Sequence, residues 1–261
     1  MFGWFKKSRR KRILNQQWPE AWSLHLNRNV RLTWEMTADE LLQLQKRIKI
    51  FVAETRFEGC DGLEITEEMQ VTVAAQACLM ILGVEEFYFD NVKTVLMFPA
   101  SFDRKTNDGV SHGTQSRLGE AWQGGPIVLS WRDTLSGGRN EDDGRNLVIH
   151  EFAHALDGLD GEMGGQIVFE DPALMQQWRD TVEKEFALLV AAKENRRRTL
   201  LDHYGATNRA EFFAVACESF FEEPKQFKSE HTHLFSLLET YFRTDPERWQ
   251  KKRRPRRKRN R

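Results

Sequence analysis

The sequence predicts a mainly helical α+β fold with a small mixed β-sheet and a helical N-terminal lobe. Three observations lead to this fold class. Apolar residues follow helical spacing near both ends of the 261-residue chain, and short runs of β-branched and aromatic residues lie between them. After the N-terminal lobe, the predicted strands come first and most helices follow, which is typical of α+β folds rather than of alternating βαβ units.

The N-terminal lobe is predicted over residues 13–85. Thr37 as N-cap and Glu40 three residues later form a capping box, which marks the start of its longest helix. Gly83 follows the last helix, at the position that favours left-handed backbone. The predicted helices of the lobe are Thr37–Phe57 and Glu67–Leu82, and Ile13–Leu26 is predicted to be a short amphipathic segment.

The second part of the chain, residues 86–250, begins with the strand signals. Phe87–Phe98 reads as one or two strands, and Pro126–Trp131 reads as another. Polar, glycine-containing loops are predicted over Ser101–Gly125 and Ser136–Gly144. The helices that follow are predicted at Arg145–Asp157, Pro172–Glu194, Asn208–Glu222 and Thr232–Phe242.

The charges cancel overall, with 39 basic and 39 acidic residues, but they are sorted along the chain. Residues 1–12 hold six basic residues and residues 251–261 hold nine, so we predict a disordered basic leader and a disordered basic tail. Residues 13–250 keep 24 basic and 39 acidic residues, a net charge of −15. An acidic body argues against specific nucleic-acid binding, while the basic ends are suited to contact with anionic surfaces.

The cysteines and the apolar runs indicate the cellular compartment of the protein. The three cysteines are sparse and lack CxxC spacing, which argues against a disulfide framework. No apolar run has the length of a secretory signal or of a membrane span. We therefore expect a cytoplasmic protein.

The chemistry is concentrated in an HExxH motif on a predicted helix. Residues four apart lie on one helix face, so His150 and His154 can bind one Zn²⁺ through their imidazole nitrogens. Glu151 lies beside the metal, where it can take a proton from the attacking water and give it to the leaving amine. The helix is apolar almost all round, and buried histidines need a partner or a metal. The motif predicts a zincin-like metallopeptidase domain over residues 86–250 with one zinc ion per chain.

Such a zinc site needs a third protein ligand. The candidates are Glu211, Glu218 and Glu222 on one predicted helix, with His203 as an outsider. Glu211 also stands three residues after Asn208, where a capping box would use it. The spacing alone leaves these alternatives open.

Residues behind the ligands are also predicted. Metal-binding histidines usually donate their other ring proton to a carboxylate or carbonyl. Asp157, three residues after His154, is a candidate for this contact or for shaping the next turn, and Glu218 is a second candidate. The strand Ile127–Trp131 is either an edge along which an extended peptide binds or an ordinary core strand.

Two stretches carry a resemblance to a known family: HEFAHALD at His150–Asp157 and YGATNRAEFFA at Tyr204–Ala214. They resemble the Mlc titration factor A family of bacterial cytoplasmic zinc metallopeptidases, which are of the gluzincin type. The resemblance covers nearly all of the chain apart from the two basic ends. The catalytic domain is also similar to that of anthrax lethal factor.

The resemblance implies roles that spacing alone does not assign. Glu211 would be the third zinc ligand, and Tyr204, seven residues earlier, would stabilise the oxyanion or assist the leaving group. It also implies aminopeptidase-like cleavage of short peptides and regulation through binding a Mlc-type glucose repressor. The rival interpretation is a non-catalytic, repressor-sequestering protein whose zinc site is vestigial.

Overall fold

The computed structural model describes residues 2–100, 125–160 and 164–250. The α-helices in these ranges are α1 (Phe2–Leu14), α2 (Glu20–Asn29), α3 (Ala38–Glu54), α4 (Glu67–Met80), α5 (Trp131–Arg139), α6 (Leu147–Asp157), α7 (Pro172–Glu194), α8 (Arg209–Glu222), α9 (Pro224–Glu230) and α10 (Thr232–Phe242). The strands are β1 (Arg56–Gly59), β2 (Thr94–Phe98) and β3 (Ile127–Ser130). The predicted mainly helical α+β class is confirmed. The predicted tail and nearly all of the loop Ser101–Gly125 lie outside the described residues.

The predicted helix-start signals act as expected. Thr37 and Glu40 form the capping box of α3, with the Thr37 hydroxyl accepting from the Glu40 N–H. Asn146 caps α6 and Asn208 caps α8, each with its side-chain oxygen accepting from the backbone N–H three residues later. These caps fix where the two helices that carry the motif residues begin.

The sheet has the strand order β1-β2-β3. Both pairings are parallel, with Arg56 opposite Thr94 and Val95 opposite Ile127. The prediction of a mixed sheet differs from this, because every described strand runs the same way. Parallel neighbours need a crossover connection, and α4 supplies the one between β1 and β2. The sheet joins segments from both sides of the predicted boundary at residue 85.

The disordered leader predicted over residues 1–12 is wrong for the part that is described, because α1 runs from Phe2 to Leu14. It is held by Arg10, whose guanidinium pairs with Glu54 at 2.6 Å and also bonds to Asp90. The chain then breaks at Pro19 before α2, so the segment predicted as Ile13–Leu26 is split in two.

Other boundaries also differ from the predictions. The helix predicted over Thr37–Phe57 ends at Glu54, and the next residues form β1. The predicted loop Ser136–Gly144 begins inside α5, which continues to Arg139. Gly83 does not adopt the left-handed backbone that was predicted for it. Within the described ranges, none of the helices combines the length and apolar character needed to cross a bilayer.

Aromatic side chains dominate the core around the motif helix. Phe152 of α6 is fully buried and packs against Phe51 and Phe89, with ring centroids 5.6 and 4.9 Å away. On the facing helix α8, Phe212 and Phe213 are also fully buried. Because Phe152 lies in the core, the rotation of α6 about its axis is fixed, and this fixes the direction of its histidines.

Gly83 is required by a close backbone approach. A Cβ at this position would lie 2.2 Å from the carbonyl oxygen of Arg243. Replacing Gly83 with alanine is expected to lower the free energy of unfolding by about 1–3 kcal/mol, measured by urea denaturation. The control is Gly164→Ala, where the nearest atom to the added carbon would be 3.6 Å away. An equal loss in both variants would contradict this explanation.

Candidate metal centre

The two motif histidines share one face of α6 and point toward α8. The ring centroids of His150 and His154 are 5.0 Å apart, and both side chains are buried. Glu211, in the first turn of α8, lies between them. Its Oε2 is 3.0 Å from His150 Nε2 and 3.4 Å from His154 Nε2. Among the described residues, these three form a group whose ligand atoms lie within 4.8 Å of one another.

The chemistry of this group fits a metal ion. Among the described residues, neither buried ring nitrogen of His154 has a hydrogen-bond partner, and Nε2 only approaches Glu211 Oε2 at 3.4 Å. An unsatisfied buried polar atom costs free energy, so its presence needs an explanation. A cation between His150, His154 and Glu211 would satisfy it. Two imidazole nitrogens and one carboxylate oxygen form a His₂Glu donor set, which is used by catalytic zinc sites that keep a further position open.

The electrostatics of the group are set by mutual contacts. Burial raises the pKa of Glu211, but the neighbouring His150 and His154 outweigh it and lower the pKa to about 2. Burial lowers the pKa of His150, but hydrogen bonds to Glu211 and Glu218 outweigh it and raise the pKa well above its ordinary value. These contacts favour the ionised form of Glu211 and the protonated form of His150.

Glu218 lies behind His150, on the side away from Glu211. Its Oε1 is 2.7 Å from His150 Nδ1, and its Oε2 accepts a hydrogen bond from the Asn146 N–H at 2.6 Å. A carboxylate in this position favours the imidazole tautomer with its proton on Nδ1. With the proton on Nδ1, the lone pair of Nε2 would be available to a cation.

The other two candidates for the third ligand lie outside the group. Glu222 accepts from the Arg145 N–H at 2.9 Å and from the Asn146 side-chain amide at 3.0 Å. Burial, together with nearby Glu218, raises the pKa of Glu222 well above its ordinary range, against the opposing bond from Asn146. His203 lies in the short 3₁₀ helix His203–Ala206.

Sequence reasoning missed this anchoring of Asn146. The signal was present, because Glu211, Glu218 and Glu222 are spaced seven and four residues apart and so share one face of α8. Asn146 is itself the N-cap of α6. One face of α8 therefore carries the candidate ligand Glu211 and the His150 partner Glu218. It also carries Glu222, which binds Asn146 at the start of α6.

Asp157 contacts the turn that follows α6. Its side-chain oxygens accept from the Gly165 N–H at 2.9 Å and from the Gln166 N–H at 2.8 Å. Of its two predicted uses, these contacts correspond to shaping the turn.

Tyr204, which is half-buried, and Glu151, which is buried, complete the polar cluster. The Tyr204 ring lies 5.9 Å from the His150 ring, and its hydroxyl is hydrogen-bonded to Glu211. Burial and the charge of Glu211 raise the pKa of Tyr204, so the hydroxyl stays protonated and can donate. Asp202 caps the 3₁₀ helix by accepting from the Tyr204 N–H at 2.9 Å. Glu151 is buried on α6, and its charge acts on both Tyr204 and His150.

Comparison with known proteins extends this description. Residues 5–243 match the family described as glucose-regulated metallo-peptidase M90. The chain belongs to the M90 family. The match begins at residue 5, so most of α1 lies within the region shared by the family, contrary to the expectation that the basic leader falls outside it.

Individual relatives of the M90 protein are similar over nearly their full length. An uncharacterized protein of Synechocystis sp. is 30% identical over 244 residues, which cover 91% of this chain and 89% of the relative. The proteins named Mlc titration factor A from Salmonella agona and Salmonella typhi are each 30% identical, covering 89% of this chain and 88% of each relative. The predicted resemblance is therefore confirmed.

The strand β3 is placed beside the motif helix of this M90 protein. In the described sheet, β3 is an edge strand, since it pairs with β2 alone. Its residues Ile127, Leu129 and Ser130 are buried. This position is compatible with both uses predicted for the strand.

Proposed function

We propose that this M90 protein is a zinc-dependent metallopeptidase with aminopeptidase-like activity on short peptides. The observation that carries the proposal is the buried His150, His154 and Glu211 group, in which both nitrogens of His154 lack a hydrogen-bond partner within the part of the chain that the structure describes. When bound, the zinc would polarise the scissile carbonyl and lower the pKa of water. The membership of a metallopeptidase family supports the same reaction class.

Glu151 is the proposed general base and then the general acid. It takes the proton of the attacking water and passes it to the leaving amine. Its burial supports this role, because a carboxylate removed from bulk water is a stronger proton acceptor than an exposed one. Its place next to His150 in the sequence puts it beside the ligand group without using it as a ligand.

Tyr204 is the proposed donor to the oxyanion. Its raised pKa keeps the hydroxyl protonated, and its contact with Glu211 holds it beside the ligand group. Glu218 has a positioning role, because it holds the proton of His150 on Nδ1 and leaves Nε2 for the metal. Asp157 acts indirectly, by fixing the turn after α6.

The proposed partner is a Mlc-type glucose repressor, and the proposed location is the cytoplasm. The partner is supported by the name Mlc titration factor A, which two relatives at 30% identity carry. The location is supported by Cys60, Cys78 and Cys217, which are free thiols in the structure. An extended peptide substrate would lie along the edge strand β3 and pair with its backbone.

The test is hydrolysis of aminoacyl and short-peptide chromogens against bound zinc. We expect turnover to disappear when a chelator removes the metal and to return in proportion to the zinc that is added back. Hydrolysis that survives complete removal of the metal would contradict the proposal. A protein with one zinc ion per chain and no turnover on the whole panel would instead favour the non-catalytic interpretation.

Replacing Tyr204 with phenylalanine is expected to lower kcat about 100-fold, since one donor to the developing oxyanion is lost. Zinc content should stay at the wild-type value, because no ligand is removed. Tyr88→Phe is the matched control, because Tyr88 contacts Arg10 and Arg47 rather than the ligand group. Steady-state kinetics and metal analysis of both variants measure the effect. Equal kcat values in the two variants would overturn the role of Tyr204.

A further inference from the structure

Helix α1 is docked on the body by one face. Lys6, Arg10 and Ile13 are spaced four and three residues apart, so they share that face. Lys6 pairs with Asp90 at 2.6 Å, Arg10 pairs with Glu54 at 2.6 Å, and Ile13 is only 7% exposed. The inward face is therefore held mainly by ion pairs, and its two basic residues are neutralised by the acidic body.

The opposite face carries a different set of residues. Trp4 is 72% exposed and Phe5 is 60% exposed, and their rings pack edge to face with centroids 5.4 Å apart. Among the described residues, Trp4 is the most exposed large apolar side chain. Lys11 and Arg12, at the other end of the same helix, are also exposed. The exposed surface of α1 thus combines an aromatic end with a cationic end and contains no acid.

This combination is the one that suits a helix lying on an anionic membrane surface. Aromatic side chains gain free energy at the boundary between headgroups and acyl chains, and basic side chains are attracted to anionic headgroups. The body has a net charge of −15 between residues 13 and 250, so the body itself would be repelled and only the basic ends would be attracted.

We propose that the outward face of α1 binds an anionic phospholipid surface, with Trp4 and Phe5 entering the interface and Lys11 and Arg12 contacting the headgroups. The docking of Lys6 and Arg10 keeps the helix formed before it meets the membrane. This lowers the ordering cost of binding. The exposed aromatic pair favours lipid over a nucleic acid, because nucleic-acid phosphates would contact only the basic side chains.

The experiment is co-sedimentation of the full-length protein with vesicles. The probes are vesicles of phosphatidylglycerol mixed with phosphatidylcholine, compared with phosphatidylcholine alone. We expect binding to the anionic vesicles, weakening with salt. The double variants Trp4→Ala/Phe5→Ala and Lys11→Glu/Arg12→Glu should each lower the partition coefficient at least about tenfold. The wild type and all variants keep residues 251–261, so the basic tail contributes equally to binding in every sample.

Matched controls separate this face from the general surface. Leu24→Ala removes an exposed apolar side chain on α2, and Arg197→Glu/Arg198→Glu reverses two exposed charges after α7. Both should bind vesicles as the wild type does. The proposal is overturned if the wild type does not bind anionic vesicles, or if the α1 variants bind as well as these controls. It is also overturned if the α1 variants lose binding to duplex DNA while their vesicle binding is unchanged.

Discussion

Replacing Glu151 with glutamine is expected to lower peptide hydrolysis about 100- to 10,000-fold, the range for loss of a general acid–base group. Glutamine has nearly the same shape as glutamate but does not accept the proton of the attacking water at neutral pH. The three proposed ligand atoms belong to His150, His154 and Glu211, so the variant should bind zinc with wild-type stoichiometry. Turnover of a short-peptide chromogen and metal analysis of the same samples measure the two quantities.

The control for this variant is Glu194→Gln, which makes the same change at an exposed position at the end of α7. It should leave turnover unchanged. Full activity in Glu151→Gln would show that another group moves the proton. Loss of zinc from Glu151→Gln would show that Glu151 supports the metal site itself, and the loss of activity would then need a different explanation.

Replacing Glu211 with alanine is expected to weaken zinc binding by more than about 100-fold, which exceeds the usual loss when a residue behind a ligand is removed. The reason is geometric, because Oε2 of Glu211 approaches the Nε2 atoms of both His150 and His154. The start of α8 should stay formed, since the Asn208 side chain accepts from the backbone N–H of residue 211. Competition with a chromogenic chelator measures the affinity.

The other acids of α8 give a graded comparison. Glu218→Ala should weaken zinc binding about 10- to 100-fold, because it removes the partner of His150 Nδ1. Glu222→Gln should have a smaller effect, since Glu222 contacts Arg145 and Asn146 rather than a histidine. Zinc binding that is lost in Glu222→Gln or His203→Ala but kept in Glu211→Ala would assign the third ligand differently.

Much of the candidate site follows from helical spacing. The histidines of the HExxH motif are one turn apart, and the acids of α8 repeat at seven and four residues, so each set must share a helix face. Helical spacing does not tell which acid meets the histidines, because that depends on how α6 and α8 pack. The choice of Glu211 came from the family resemblance. The anchoring of Asn146 by Glu218 and Glu222 depends on the same packing and was missed.

Where the fold differed from expectation, the cause is local. Helix α1 was not predicted because it has no apolar stripe at helical spacing. Its inward face instead uses Lys6 and Arg10, which pair with acidic residues far away in the sequence. The end of α5 falls within the predicted loop Ser136–Gly144, because Gly137 and Gly138 disfavour helix in isolation. At Gly138 the neighbouring chain requires the glycine, since a Cβ there would lie 2.3 Å from the Asn29 carbonyl oxygen. Strand β1 was not predicted because it has only four residues and begins just after the long helix α3 ends.

His150 lies between Glu211 and Glu218. Its Nε2 atom can bind either a proton or a metal ion, but not both at once. The raised pKa of His150 favours a protonated imidazole, which places a positive charge between two buried carboxylates. A raised folded-state pKa adds stability that is complete below the unfolded value near 6.5 and disappears as the pH rises through the folded value. A cation bound by His150 would displace that proton, so its binding would strengthen as the pH rises. A bound cation would therefore stabilise the fold most in alkaline solution, where the proton is lost.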